Sequence, residues 1–232
     1  MSEDYGLSFS DDDFLQNGLC FDKYANFLSK KFSSKDLEKY GIKIAEKDKI
    51  IFALGRCSIA KGFKELALAW SNIYKNIPDH YLVLQMPNNS AENDYFKEVK
   101  NILDDTERYI VIDDFNPEIW KTVLRTENTN VVCIPSLMDP FPHTSIEAKL
   151  FSKGMDYVTI ISDVDGAVDA FGKDEAVYVD PRNTGLFSEK IVYATTLDSS
   201  VRKEMSDRNN ISIGRFNFPS IFEDFMHKNL FI

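Results

Sequence analysis

The chain reads as a doubly wound α/β protein on a parallel sheet of about six strands, and three features predict it. Short apolar runs recur at residues 50–54, 81–86, 109–112, 131–134, 158–161 and 176–179. The stretches between them place apolar residues at helical spacing, and strands that alternate with helices build parallel sheets covered on both faces. Two polar tracts follow the first and fourth runs, at the carboxyl ends of their strands, where such sheets bind ligands.

The elements follow in chain order. Residues 1 to 16 are acidic and polar, with Asp11, Asp12 and Asp13 a solvated run. Residues 19 to 48 mix charges with Phe21, Tyr24, Phe27, Leu28 and Phe32, and Lys35 to Tyr40 has helical character. Ile50 to Leu54 is the first strand, and Phe63, Leu66, Ala67, Trp70, Tyr74 and Ile77 repeat as one face of a helix, so residues 55 to 62 form the turn between them. Val131 to Ile134 leads into a loop with Pro135, Pro140 and Pro142, and a helix is expected from about Thr144. Beyond Asp180 and Pro181 the chain reads as helical: 186 to 196, 201 to 210, and a last helix opened by Pro219 with a stripe of Ile221, Phe222, Phe225 and Met226.

The first tract is Gly55-Arg56, four residues, Lys61-Gly62. A helix start offers unpaired N–H groups and the positive end of the helix dipole, so Arg56 and Lys61 beside it make a site for a diphosphate, or else are two solvated cations on a turn. The second is Pro135-Ser136, then Asp139, seven residues, Glu147. Thr144, Ser145, Ile146 and Glu147 fit a capping box, with Glu147 reaching back to the helix start. The same carboxylate at the carboxyl edge of a sheet also suits a ribose diol. Asp139 is either a turn residue or a partner of Glu147 in holding two ends of one ligand.

Composition bounds the function. There are 27 Lys and Arg against 37 Asp and Glu, a net charge of −10, which argues against nucleic acid as a partner and against broad adhesion to anionic lipid. No stretch approaches the roughly 18 apolar residues of a spanning helix, and the polar start is unlike a signal peptide. Cys20, Cys57 and Cys133 lack metal-ligand spacing and read as reduced, mostly buried thiols of a cytoplasmic protein. His80 and His227 read as surface residues. His143, in the loop before the helix, is a candidate hydrogen-bonding group.

The two tracts, in this order and with a βα repeat between them, resemble the C-terminal donor-binding domain of retaining glycosyltransferases of the GT-B fold, family 4 type. The similarity runs from about Asn17-Gly18 to the end, and Ile161-Ser162-Asp163-Val164 with Gly166 is similar to the family's next strand and turn. The resemblance implies a Rossmann-like GT-B C-terminal half with a helical extension. Residues 1–48 would be a lead-in, 49–210 the nucleotide-sugar-binding domain, and 211–232 a helix packing on an acceptor domain or partner.

It further implies a metal-independent hexosyltransferase with no cofactor. The donor substrate is a nucleoside-diphosphate sugar and the acceptor a glycan, lipid or protein held by an N-terminal domain or partner subunit, through which the protein reaches a membrane if it does so. Arg56, Lys61, Asp139 and Glu147 would carry catalysis, and Gly55, His143, Thr144 and Ser145 would join them in binding the donor. Departures from the family pattern bear on which sugar is carried and on catalysis: Asp139 stands where the family usually has Glu, Pro142 replaces a small glycine whose N–H approaches the donor sugar and has none to give, and Asp165 replaces another glycine. Gln85-Met86-Pro87 lacks the glycines common after the second strand.

Two readings stand beside this one, a non-catalytic GT-B half acting as an interaction module and another nucleotide-sugar-binding α/β enzyme such as an epimerase. Asp163 and Asp165 also suggest a haloacid dehalogenase-like phosphatase or a GT-A metal pair. The first lacks its threonine at Ala167 and the second leaves both upstream tracts unexplained.

Overall fold

The computed structural model describes residues 18–87, 93–139, 143–163 and 167–230. The acidic run at Asp11 to Asp13, together with Asn17, Pro140, Pro142, Val164, Asp165 and Gly166, lies outside the described residues. The six strands are β1 (Lys49–Leu54), β2 (His80–Gln85), β3 (Tyr109–Ile112), β4 (Thr129–Ile134), β5 (Val158–Ser162) and β6 (Val177–Val179). All their pairings are parallel, in the order β3-β2-β1-β4-β5-β6. The order reverses between β1 and β4, so a crevice opens at the carboxyl ends of these two strands. Those are the strands that the two tracts follow.

Seven helices of eight residues or more flank the sheet among the described residues: α1 (Phe63–Ile73), α2 (Asp94–Asp104), α3 (Pro117–Leu124), α4 (His143–Phe151), α5 (Thr184–Thr196), α6 (Ser199–Ser212) and α7 (Phe218–Leu230). Each strand side chain alternates between two cores. Ile50, Phe52, Val83, Val132 and Ile134 pack with Trp120, Ile146 and Phe151 on one face. Ile51, Ala53, Leu84, Val131 and Cys133 pack with Phe63, Leu66, Trp70 and Phe187 on the other. Phe52 and Phe63 are fully buried, and each contributes roughly 1.5–3 kcal/mol. The helix expected to reach Ile77 ends at Ile73, and Pro78 disfavours helical backbone at Ile77 itself.

Asparagine sets several helix starts. Asn93 accepts hydrogen bonds from the N–H groups of Tyr95 and Phe96, and Asn116 from that of Glu118 just before Pro117 at the first helical position. His80, expected on the surface, is buried at the start of β2 with its ring between Asp79 (2.8 Å) and Asn130 (3.3 Å). All three cysteines are free; Cys133 is buried, and Cys20 and Cys57 are half-buried.

Buried cations brace the frame. The Arg202 guanidinium donates to the carbonyls of Ala194, Thr195 and Leu197 at the end of α5, to that of Asn130 at the start of β4 and to that of Asp156 ahead of β5. Arg125 likewise donates to Phe151, Lys153 and the lead-in Lys30. On α4, the wholly buried Lys149 ammonium donates to Glu175 (2.6 Å) and to the Ala170 carbonyl (2.8 Å). The lead-in aromatic Tyr24 lies against Trp120 and Phe151. The link between the lead-in and the chain's end runs through Leu19, whose N–H donates to Phe216 and whose carbonyl accepts from Phe218.

The two tracts are locked together at Gly62, which has φ +66° and caps the start of α1. A β-carbon there would fall inside the Pro135 carbonyl, so only glycine lets the β1–α1 turn rest on the loop after β4. Leu137 N–H then donates to the Ala60 carbonyl at 2.8 Å, zipping turn to loop. Gly62→Ala is expected to cost more than the roughly 1–2 kcal/mol of a left-handed φ alone. Urea denaturation of the variant, showing an unchanged midpoint, would refute this account of the joint.

Candidate functional site

One cleft lies over the crevice between β1 and β4. Gly55, Arg56 and Lys61 line it from the first tract, and His143, Thr144 and Glu147 from the second. Gln85, Phe115, Asn116 and Trp120 form its far wall. The sequence thus places six of its site residues around one space. Ser145 turns inward, fully buried, and its hydroxyl has no partner among the described residues. Asp139 stands at the rim, ion-paired with Lys61.

The Lys61–Asp139 pair has a local cause. Gly55 has no side chain, so the stem of Lys61 lies across it, with Cγ 3.3 Å from where a β-carbon would sit. The ammonium is thereby aimed over the turn at the loop after β4. Both side chains are about 15% exposed, 14% for Lys61 and 15% for Asp139, so the pair is largely screened from solvent. Arg56 is exposed and makes no ion pair among the described residues, leaving its guanidinium available to an anion.

Glu147 departs from the capping-box expectation. α4 starts at His143, which puts Glu147 fifth in the helix, one position pair beyond the third residue a capping box requires. Its carboxylate instead accepts a hydrogen bond from the Tyr24 hydroxyl at 3.3 Å, across 123 positions of sequence. Burial pushes its pKa up to about 7, while the Tyr24 hydroxyl and the nearby Lys121 ammonium hold it partly back. The first-turn N–H groups of α4 have no partners within the helix, and His143 and Thr144 of that turn line the same cleft. The cleft therefore combines an exposed guanidinium and a helix start, suited to an anion, with a carboxylate suited to hydroxyl donors.

Sequence reasoning missed the far wall. Gln85, at the end of β2, is buried, and its Nε2 donates to the carbonyls of Asp114 and Asn116 at 3.0 Å each, fixing the loop after β3. That loop carries Phe115, 77% exposed, into the cleft. A polar residue closing an apolar strand was the available signal for Gln85. Tyr24 had none, since its link to Glu147 exists only in the fold. Among the described residues no cluster of three or more His, Cys, Asp or Glu suits a metal ion, and no helix is long and apolar enough to cross a membrane.

The pKa of Glu147 sets a sign for stability. An acid whose pKa is higher folded than unfolded binds more protons when folded between the two values. Its contribution is therefore whole below about 4.5 and is lost as the pH rises through about 7. Glu147→Gln should flatten the decline in the urea midpoint over that window relative to the unaltered chain. Parallel pH profiles for the two would refute the assignment.

Comparisons with known proteins bear on the family and the fold. The model of the family described as glycosyl transferases group 1 matches residues 34–210. No curated protein sequence matches. Among solved structures, an alpha,alpha-trehalose-phosphate synthase (UDP-forming) from Burkholderia xenovorans in complex with glucose-6-phosphate is 14% identical with a TM-score of 0.75, over 92% of this chain and 50% of that one. A trehalose-6-phosphate structure from E. coli bound with UDP-2-fluoro glucose is also 14% identical, with a TM-score of 0.73, over 91% and 50%. The N-terminal domain of Candida albicans trehalose-6-phosphate phosphatase is 16% identical, with a TM-score of 0.73, over 93% and 50%. The chain spans about half the length of these structures, and at such identities the likeness is one of fold.

Proposed function

Because the chain belongs to the glycosyl transferases group 1 family, with a Rossmann-like GT-B fold, we propose that it is the donor half of a retaining, family 4-type glycosyltransferase. It binds a nucleoside-diphosphate sugar and presents the anomeric carbon to an acceptor held by another domain or subunit. The observation that carries the reading is the meeting of Arg56 and Glu147 in one cleft at the point where the strand order reverses. Residues 49–210 are the donor-binding unit in this reading, 1–48 its lead-in and 211–232 the segment whose helix α7 faces the acceptor half, in a cytoplasmic protein.

In the reaction the bond between the anomeric carbon and the diphosphate oxygen breaks with its electron pair on the phosphate. The acceptor oxygen takes the carbon, and its proton goes to the released diphosphate or to water. Negative charge grows on the leaving group, so cations fixed in advance lower the barrier. Arg56, Lys61 and the N–H groups at Thr144 and Ser145 supply this stabilisation, without a divalent ion. Glu147 accepts the ribose hydroxyls, and Asp139 and His143 meet the donor sugar. The Lys61–Asp139 pair favours a second reading, in which one phosphate-binding cation is already neutralised and the chain serves as a non-catalytic partner.

A thermal-shift panel of uridine, guanosine, adenosine and thymidine diphosphates, with and without chelator, separates the two. A diphosphate at 100 times its Kd stabilises by about 2.7 kcal/mol, a shift of roughly 5–10 °C. A selective, chelator-insensitive shift supports the donor site, and none with any nucleotide supports the partner. Arg56→Ala should weaken binding of the selected diphosphate by about 1.5–3 kcal/mol. Lys61→Ala should also weaken it, by leaving Asp139 unpaired beside the phosphates. Unaltered affinity in a folded Arg56→Ala, Lys61→Ala double variant, measured by calorimetry, would sink the phosphate assignment.

A further inference from the structure

We infer that Tyr24, from the lead-in ahead of the sheet, is a positioning residue that fixes the Glu147 carboxylate for its ligand. The inference rests on the reading of Glu147 as the group that holds ribose, and it adds how that group is set. The Tyr24 hydroxyl donates to Glu147 Oε1, leaving Oε2 for a second donor. The tyrosine ring is itself held. It meets Phe151 edge-on with centroids 5.6 Å apart and Trp120 at 6.2 Å, and the Lys121 ammonium lies 5.5 Å from its centroid.

These contacts form one unit. Phe151 follows Glu147 by four positions, so both stand on the same face of α4. Trp120 lines the cleft and packs on Phe151 at 5.2 Å. Tyr24 thus wedges between α3 and α4 with its polar tip at the cleft wall, the use to which a buried aromatic with a hydroxyl is suited. A carboxylate with one oxygen tethered loses less freedom when the other takes a ligand hydroxyl, which favours binding.

The charged and titratable groups around Glu147 are Tyr24 on the lead-in, Lys121 on α3, His143 one turn earlier on α4, and Arg56 and the Lys61–Asp139 pair across the cleft. Of these, the Tyr24 hydroxyl and Lys121 favour the ionised carboxylate. A tyrosine that only filled space would leave the titration of Glu147 untouched on replacement by phenylalanine. A positioning tyrosine would not.

The test compares Tyr24→Phe, Glu147→Gln and the unaltered chain for calorimetric binding of UDP and 2′-deoxy-UDP across the pH range around neutrality, with thermal melts to show that each folds. In Tyr24→Phe, UDP should bind about three- to tenfold more weakly, 2′-deoxy-UDP should lose less, and the pH midpoint of UDP binding should move up. If Glu147→Gln abolishes the preference for UDP while Tyr24→Phe keeps both preference and midpoint, the positioning role is overturned and the ribose reading stands. If Glu147→Gln keeps the preference, or the unaltered chain binds none of the four nucleoside diphosphates, the ribose reading falls and takes this inference with it; where another base is selected, its ribo and 2′-deoxy diphosphates replace the uridine pair.

Discussion

The site depends on the contact between Gly62 and the Pro135 carbonyl. β1 and β4 are neighbours in the sheet but far apart in sequence, and each sends a loop over the crevice between them. Only an α-carbon without a side chain lets one loop rest on the other, and the Leu137 N–H then ties them at the Ala60 carbonyl. From that joint the rest follows. Lys61 lies across Gly55 and reaches Asp139, Arg56 is left exposed, and α4 begins beside the same space, which His143 and Thr144 line.

Within that space the charges are graded. Arg56 is exposed and keeps its charge free of any carboxylate among the described residues, Lys61 shares its charge with Asp139, and Glu147 is buried enough to sit between its two protonation states near neutrality. A mostly buried carboxylate at full charge would be costly, and one fully neutral would accept hydroxyls poorly. The Tyr24 hydroxyl and the Lys121 ammonium move it toward the accepting form.

The strands were legible because each apolar run is short, bounded and followed by a helical repeat. Their observed bounds differ by only a residue or two, as at β1, which gains Lys49, and β4, which gains Thr129 and Asn130. Gly55, Arg56, Lys61 and Glu147 were legible because their spacing places them at strand and helix ends. The capping role offered for Glu147 failed on where α4 begins, which local sequence fixes only loosely. His80 was misread as exposed because its partners, Asp79 and Asn130, meet only once β2 pairs within the sheet. Gln85, Phe115 and Tyr24 reach the cleft through tertiary contacts that have no local pattern.

The opposite edge of the sheet is built from different chemistry. There Arg125 and Arg202 satisfy the carbonyl ends of α4 and α5, and burial lowers their pKa values, although a guanidinium stays protonated in a protein. No proton is gained or lost at these braces over any physiological change in acidity. The molecule therefore keeps its responsiveness to acidity at one rim and its insensitivity at the other. A change in acidity near neutrality acts on Glu147 and leaves the charge of the braces beneath it unchanged.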